Sequence, residues 1–295
     1  MVNIQSKIKG ALYGFAIGDA MGATTEFMDK STIKAIYGEV KNIIGGGWLN
    51  LKPGDVTDDT QMMLCVCDAI GHAHYSVFDD NEKFLIVDTF LNKCCENFVD
   101  WYLTNPPDIG NCCLRVISTF ARHQPQDYKR WIEQASNPES LGNGSLMRTL
   151  PIILSGHDWV AALLQSRLTH NNVLCDNAVG IYYRNVESLL FDNKFRNVSN
   201  DLAQPTGHVL WTLNNAMYWV QNTNTFEESI IKAVNHGGDA DTIAAITGSM
   251  AGALYGFEAI PKRWVNKLNP EVKKELNKYA KLFEKINKKV CTNFN

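Results

Sequence analysis

The 295-residue sequence predicts an all-α fold, a compact orthogonal multi-helix bundle, on three observations. Apolar residues recur at three- and four-residue spacing through most of the chain. Period-two alternation bounded by turns is scarce, so strands have little claim on it. Clusters of Gly, Asn, Asp and Pro, such as "GGGWLNLKPGD", "LTNPPDIGN" and "SNPESLGNGS", separate the periodic segments.

Taken in order, residues 8–27 are an apolar, Gly- and Ala-rich helix carrying "GALYGF" at its start. Segments 60–74, 81–103, 112–123, 176–191, 209–221 and 226–236 follow, each with an apolar stripe. The segment 241–256 is apolar all round and runs into a second "GALYGF" at 252–257. Six residues are too few to indicate duplication; Gly and Ala at these positions suit close helix–helix approach. The basic tail forms a Lys-rich helix over about 268–290. Its Val272, Leu276, Tyr279, Leu282, Phe283 and Ile286 face the body and its lysines face water. With 45% hydrophobic residues and no linker, residues 1–295 read as one domain.

Charge and cysteine usage exclude several classes. A net charge of −3 gives no polybasic signal for nucleic acid, although ten Lys/Arg against three Glu gather after residue 260. The eight cysteines include two adjacent pairs and a C-x-C, which fit neither a disulfide scaffold nor a zinc site. They read as buried thiols of a cytoplasmic protein. Lys7 and Lys9 before "GALYGFAIG" imitate a signal core, but Asp19 and three glycines speak against cleavage. No segment is suited to span a bilayer.

Two short stretches carry chemistry. "NHGGDADT" (235–242) puts Asp239 and Asp241 behind a glycine pair, at the mouth of an apolar helix. "GDVTDDTQMML" (54–64) repeats the design with Thr57, Asp58 and Asp59. Either stretch alone is an ordinary helix start: Thr or Asp caps, and acids suit the positive end of the dipole. Should the two starts converge, four carboxylates share a small volume. Two unit charges ~4 Å apart repel by about 4 kcal/mol at an effective dielectric of ~20. Two divalent ions would balance them, with Thr57 and Thr242 as neutral oxygen ligands. Oxygen-only ligation selects hard ions, two Mg²⁺ or else Mn²⁺. A third stretch, "LGNGSLMRTLPI", offers Gly142, Asn143, Gly144 and Ser145 either as a backbone nest for phosphate or as a plain turn.

These pieces, with "GFAIGDAMGATTEF", "DIGN" and "THNN", occur in order from about residue 8 to 258. Together they resemble the ADP-ribosylglycohydrolases of the dinitrogenase-reductase-activating type. The resemblance implies an all-α fold with a binuclear Mg²⁺ or Mn²⁺ centre between helix N-termini. The implied activity is hydrolysis that frees ADP-ribose from modified side chains, arginine foremost. Carried over, Thr57, Asp58, Asp59, Asp239, Asp241 and Thr242 are metal ligands. Glu26 is the acid beside the metals and the ribose, and Asp108 a loop acid near the scissile bond. Gly142, Asn143, Gly144, Ser145 and Met147 hold the diphosphate and proximal ribose, and His170 lines the site. His208 departs from the family's Gly-Tyr, which puts the adenine contact in doubt. Trp211, one turn on, reads as a core residue.

Hydrolysis at an anomeric carbon needs an acid for the leaving group and a base for water. Asp58, Asp59 and Asp241 join the catalytic set as metal holders, while Glu26 and Asp108 compete for the proton-transfer role. The implied partners are an ADP-ribosylated protein, ADP-ribose and a cognate ADP-ribosyltransferase; neither membrane nor nucleic acid is expected to bind. Two alternatives stand. The same scaffold can act on ADP-ribose attached to serine, to acetate or to nucleic acid. Alternatively, the chain binds ADP-ribose or gives toxin immunity by covering a partner, which would need more arm than the few residues before the first motif.

Overall fold

The computed structural model describes residues 2–76, 83–123, 127–137 and 139–292. Asn81 and Glu82, where the second predicted segment after the acidic start begins, lie outside them, as does the side chain of Cys291. The described residues form an all-helical structure without strands. The first half comprises α1 (Ile4–Gly22), α2 (Lys30–Tyr37), α3 (Asp58–Ser76), α4 (Lys83–Leu103), α5 (Asn111–His123), α6 (Tyr128–Ala135) and α7 (Leu150–Leu154). The second comprises α8 (Trp159–Arg167), α9 (Val173–Phe191), α10 (Val209–Gln221), α11 (Phe226–Val234), α12 (Ala240–Tyr255), α13 (Lys262–Lys267) and α14 (Pro270–Thr292). A 3₁₀ turn, Phe257–Ala259, links α12 to α13. The short helices α2, α6, α7, α8 and α13 fall between the predicted segments.

At the centre, α1 and α12 lie antiparallel with their backbones in contact. A Cβ placed on Gly14 would stand 2.1 Å from Gly248 O, and one on Gly248 2.0 Å from Gly14 O. Gly10 and Gly252 oppose each other in the same way, so the two "GALYGF" copies meet where α1 begins and α12 ends. Gly18 faces Ala244 and Gly22 faces Ala240, a register that advances one turn at a time. Both helices are buried on nearly every side, which is why their sequences lack a polar face. This pairing lays the C-terminal end of α1 beside the N-terminal end of α12.

The outer helices close around that pair. α14 turns Leu276, Tyr279, Phe283 and Ile286 inward, and Tyr13 of α1 donates its hydroxyl to Lys273 O at 3.4 Å. Buried Lys7 closes the C-terminal end of α9, donating to Leu190 O at 2.9 Å and Asn193 Oδ1 at 2.6 Å. The seven described cysteines are free thiols, and burial pushes those of Cys67, Cys94 and Cys95 well above their ordinary range. Among the described residues, no helix is long and apolar enough to cross a membrane.

Candidate active site

The glycine pair of "NHGGDADT" explains how α12 begins. Gly237 and Gly238 hold φ values of 79° and 68°, which side-chain-bearing residues adopt at a cost. A Cβ on Gly238 would stand 1.7 Å from Pro205 O, and one on Gly237 2.2 Å from Met28 O. Gly238 N–H donates to Met28 O at 2.8 Å, and Phe27 N–H returns a bond to Gly238 O at 2.7 Å. The pair thus locks the 26–28 segment against the start of α12. Ligand oxygens of Glu26, Asp239 and Asp241 all come within 4.8 Å of one another.

The start of α3 meets this cluster. Thr242 Oγ1 donates to Asp59 Oδ2 at 3.3 Å, and Thr57 Oγ1 donates to the same oxygen at 3.3 Å. Asp59 therefore joins the two acidic helix starts, 183 residues apart in sequence. Its other oxygen, Oδ1, is buried and has no hydrogen-bond partner. Asp58, Asp59, Asp239, Asp241 and Glu26 line one pocket of ≈ 390 Å³, together with Asp108 from the loop before α5.

Burial of so many acids moves their proton affinities upward. Burial, with the Asp239 and Asp108 charges behind it, pushes Glu26 up to about 8. Asp58 rises to about 7 through burial and the charges of Asp108 and Asp19. Asp239 rises to about 6 through burial, against the pull of the Asn143 amide. Asp59 and Asp241 are raised well above the carboxylate range by burial and their neighbours. Asp108 is raised by burial. A bare buried oxygen lies amid five carboxylates raised by burial, a crowding that a cation would relieve, and the donors are all oxygen. The residues present fit a hard divalent ion.

Across the pocket the 142–147 turn is built on His170. A Cβ on Gly142 would come 3.2 Å from His170 Nε2, and one on Gly144 3.2 Å from its Cε1, so a side chain at either position would crowd the ring. Asn143 ties the turn to the acids, donating its amide to Asp239 Oδ2 and to Thr212 Oγ1 at 2.9 Å. Asn143 N–H donates to Gly207 O at 3.0 Å, and Gly142 pairs with His208 in an isolated bridge. Met147 and His170 line the pocket with Gly142, Asn143 and Gly144. Ser145 does not: it is fully buried, and its hydroxyl accepts from Ser166 at 2.9 Å.

A sequence profile described as ADP-ribosylglycohydrolase matches residues 1–194 and 182–290. The chain belongs to the ADP-ribosylglycohydrolase family. It is a glycohydrolase, an enzyme that removes ADP-ribose. The ADP-ribosyl-[dinitrogen reductase] glycohydrolase of Rhodospirillum rubrum is 34% identical over 94% of this chain and 95% of its own. The ADP-ribosylarginine hydrolase Tri1 of Serratia proteamaculans is 31% identical over 89% of this chain and 75% of its own. A solved structure titled ADP-ribosylglycohydrolase-related protein complex superposes with a TM-score of 0.79 at 26% identity, covering 96% of this chain and 99% of that one.

Within this ADP-ribosylglycohydrolase the structure adds residues that sequence reading passed over. Asp19, fully buried near the end of α1, accepts N–H bonds from Thr57 at 3.1 Å and Thr60 at 3.1 Å. A lone acid in an otherwise apolar, glycine-rich helix was the available signal. Trp48 Nε1–H donates to Glu26 Oε2 at 2.6 Å. Arg148, fully buried, reaches Thr169 Oγ1 at 2.6 Å, and that hydroxyl contacts His170 Nδ1 at 2.8 Å. Trp211 corrects an expectation. It is 41% exposed, not core, and its ring stacks on His208 with centroids 4.9 Å apart at the rim of the 142–144 turn.

Proposed function

We propose that this chain hydrolyses the N-glycosidic bond between ADP-ribose and arginine in modified protein substrates, with two Mg²⁺ ions held between the starts of α3 and α12. The observation that carries the reading is the contact of Thr242 with Asp59, which joins both acidic starts in the pocket that also holds Glu26 and Asp108. The activities for which the relatives are named, on ADP-ribosyl-[dinitrogen reductase] and on ADP-ribosylarginine, support the linkage. Asp108 supports it chemically, since a guanidine departs poorly unless an acid protonates it.

Asp58, Asp59, Asp239 and Asp241, with Thr57, Thr242 and Glu26 beside them, would hold the ions. Bound there, Mg²⁺ supplies Lewis-acid polarisation of oxygen groups and lowers the pKa of water. The 142–147 turn offers the diphosphate backbone N–H groups other than those of Asn143, Leu146 and Met147, which bond to Gly207 O and Asn143 O, and Met147 and His170 flank the proximal ribose. The His208–Trp211 stack replaces the single aromatic that adenine would otherwise lie on. Glu26, whose carboxylate belongs to the acidic triad, takes the proton of the attacking water. Asp108, outside that triad, protonates the departing nitrogen as the carbon–nitrogen bond breaks and the carbon–oxygen bond forms. Holding water and glycosidic carbon in line supplies the orientational advantage.

The test is release of ADP-ribose from an arginine-modified protein with Mg²⁺. Asp239→Asn and Asp241→Asn should abolish it while circular dichroism keeps the helical spectrum. Full turnover by either variant defeats the proposed metal role.

A further inference from the structure

The loop "GGGWLNLKPGD" has no part in the scheme above, yet it is built with care. Gly46 and Leu51 exchange backbone bonds of 2.8 and 2.9 Å, closing a tight turn with Trp48 near its tip. Gly45, Gly46 and Gly47 all hold positive φ, and a Cβ on Gly47 would stand 2.0 Å from Ala23 O. The turn therefore sits directly on the end of α1, where Thr24 Oγ1 donates to Gly45 O at 3.0 Å. From this platform Trp48 reaches Glu26. Beside it, Phe27 adopts φ of 61°, a conformation that costs a side-chain-bearing residue roughly 1 kcal/mol or more. The two rings lie 5.4 Å apart at a 47° tilt.

Both rings line the acidic pocket, and both stay out in water, Phe27 68% and Trp48 49% exposed. Two large aromatics held at a pocket rim instead of buried, one of them on a strained backbone at Phe27, mark a surface that something else covers. The partner's chemistry follows from the neighbours. Glu26 and Asp108 line the same pocket, so the rim is acidic as well as aromatic. A planar cation satisfies both demands: a guanidinium stacks on an aromatic face and pairs with carboxylate, whereas an uncharged hydroxyl side chain gains from neither. The adenine end of the ligand has its own aromatic pair, His208 and Trp211, at the 142–144 turn.

We propose that Phe27 and Trp48 form the receiving lip for the guanidinium-bearing side chain from which ADP-ribose is removed, with the Trp48 indole face as its cation-binding element and Asp108 placed beside it to give the departing nitrogen its proton. The inference deepens the arginine reading and rests on it. The lip sets linkage specificity: it acts on the departing side chain and not on ADP-ribose itself.

The experiment compares the full-length wild type with Trp48→Leu, Trp48→Phe and Phe27→Leu in Mg²⁺. Two quantities are read: KM for an ADP-ribosyl-arginine peptide, and Ki for the product ADP-ribose. Trp48→Leu should raise KM about tenfold, the ~1.4 kcal/mol scale of a partly desolvated cation–π contact, and leave Ki unchanged. Phe27→Leu should raise KM less, again without moving Ki. Trp48→Phe keeps an aromatic face but loses the N–H bond to Glu26, and should hold KM near wild type while lowering kcat. An equal rise of KM and Ki in Trp48→Leu, or an unchanged KM, overturns the lip while leaving the arginine reading standing. A wild-type chain that does not cleave the arginine peptide at all overturns that reading first, before any variant is compared.

Discussion

The carboxylate of Asp19, three residues before the end of α1, accepts the backbone N–H of Thr60 at 3.1 Å and its hydroxyl as well. With the Thr57 N–H also on Asp19, the first turn of α3 is capped from a neighbouring helix. Thr57 Oγ1 accepts the Asp59 N–H at 3.3 Å, and the Asp58 and Asp59 carboxylates are left to face the pocket.

That division of labour predicts opposite behaviour for two aspartates in chelator. Asp19→Ala leaves at least two buried N–H groups without an acceptor and should lower unfolding free energy by about 2–4 kcal/mol. Asp59→Asn removes a buried charge whose Oδ1 has no partner, so it should leave stability level or raise it. Only Asp59→Asn should also abolish stabilisation by added Mg²⁺. Urea denaturation with and without the ion reads both; equal losses in the two variants would contradict the division.

This contrast also shows what was legible in sequence. The acidic helix starts, the 142–147 turn and the glycine pair at Gly237 and Gly238 are local signals, each carrying its own residue types within a few positions. Asp19, Trp48 and Arg148 were silent because their partners lie 21 to 41 residues away, at Thr60, Glu26 and Thr169. The convergence of α3 and α12 was an inference from charge alone. Its cause, the glycine seam of α1 against α12, was visible only as a repeated hexapeptide.

Metal-free stability should depend on pH with a definite sign. Glu26, Asp58 and Asp239 have folded values of about 8, 7 and 6, all above the ordinary carboxylate value. A raised acid contributes stability that is full below its unfolded pKa, ~4, and lost as pH rises through the folded value. In chelator, therefore, Tm should fall between about pH 5 and pH 8, by about 2–3 °C for a loss of 1–2 kcal/mol. His170, pushed down to about 3 by burial and by Arg148 and Arg115, opposes this trend at the acid end, since its contribution fades as pH drops below ~6.5. Saturating Mg²⁺ should give its largest rise in Tm at the alkaline end. Scanning calorimetry across pH checks this, and a metal-free Tm that climbs from pH 5 to 8 would contradict it.

The glycine seam predicts a contrast within one substitution type. Gly14→Ala or Gly248→Ala drives a methyl into the opposing carbonyl, with no flexible side chain to give way. Each should destabilise by about 3 kcal/mol or more, at the upper end for overpacking. Because the seam also sets the register of Glu26 against Asp241, activity per folded molecule should fall with it. Gly180, inside α9 with no heavy atom within 4 Å of an added Cβ, should behave oppositely. Gly180→Ala should stabilise by about 0.5–1 kcal/mol through helix propensity and leave kcat/KM unchanged.

Arg148 yields the last prediction. It is fully buried, packs its guanidinium over Phe98 at 4.6 Å, and donates to Thr169 Oγ1 at 2.6 Å. A guanidinium can only donate, so the Thr169 oxygen accepts from it and its hydroxyl proton is free to go to His170 Nδ1, 2.8 Å away. His170 is then neutral with its proton on Nε2, the nitrogen that faces the Gly142–Gly144 turn. Nitrogen-15 spectra should show the Nε2–H tautomer with no protonation at any pH above about 5. Arg148→Met removes both the positive charge and the donor to Thr169. The His170 titration should then move upward, the Nδ1–H form should appear, and ADP-ribose affinity should drop by about three- to tenfold, the value of a misdirected hydrogen bond. A wild-type His170 that titrates near its ordinary value, or that carries its proton on Nδ1, would break the relay from Arg148 to the pocket.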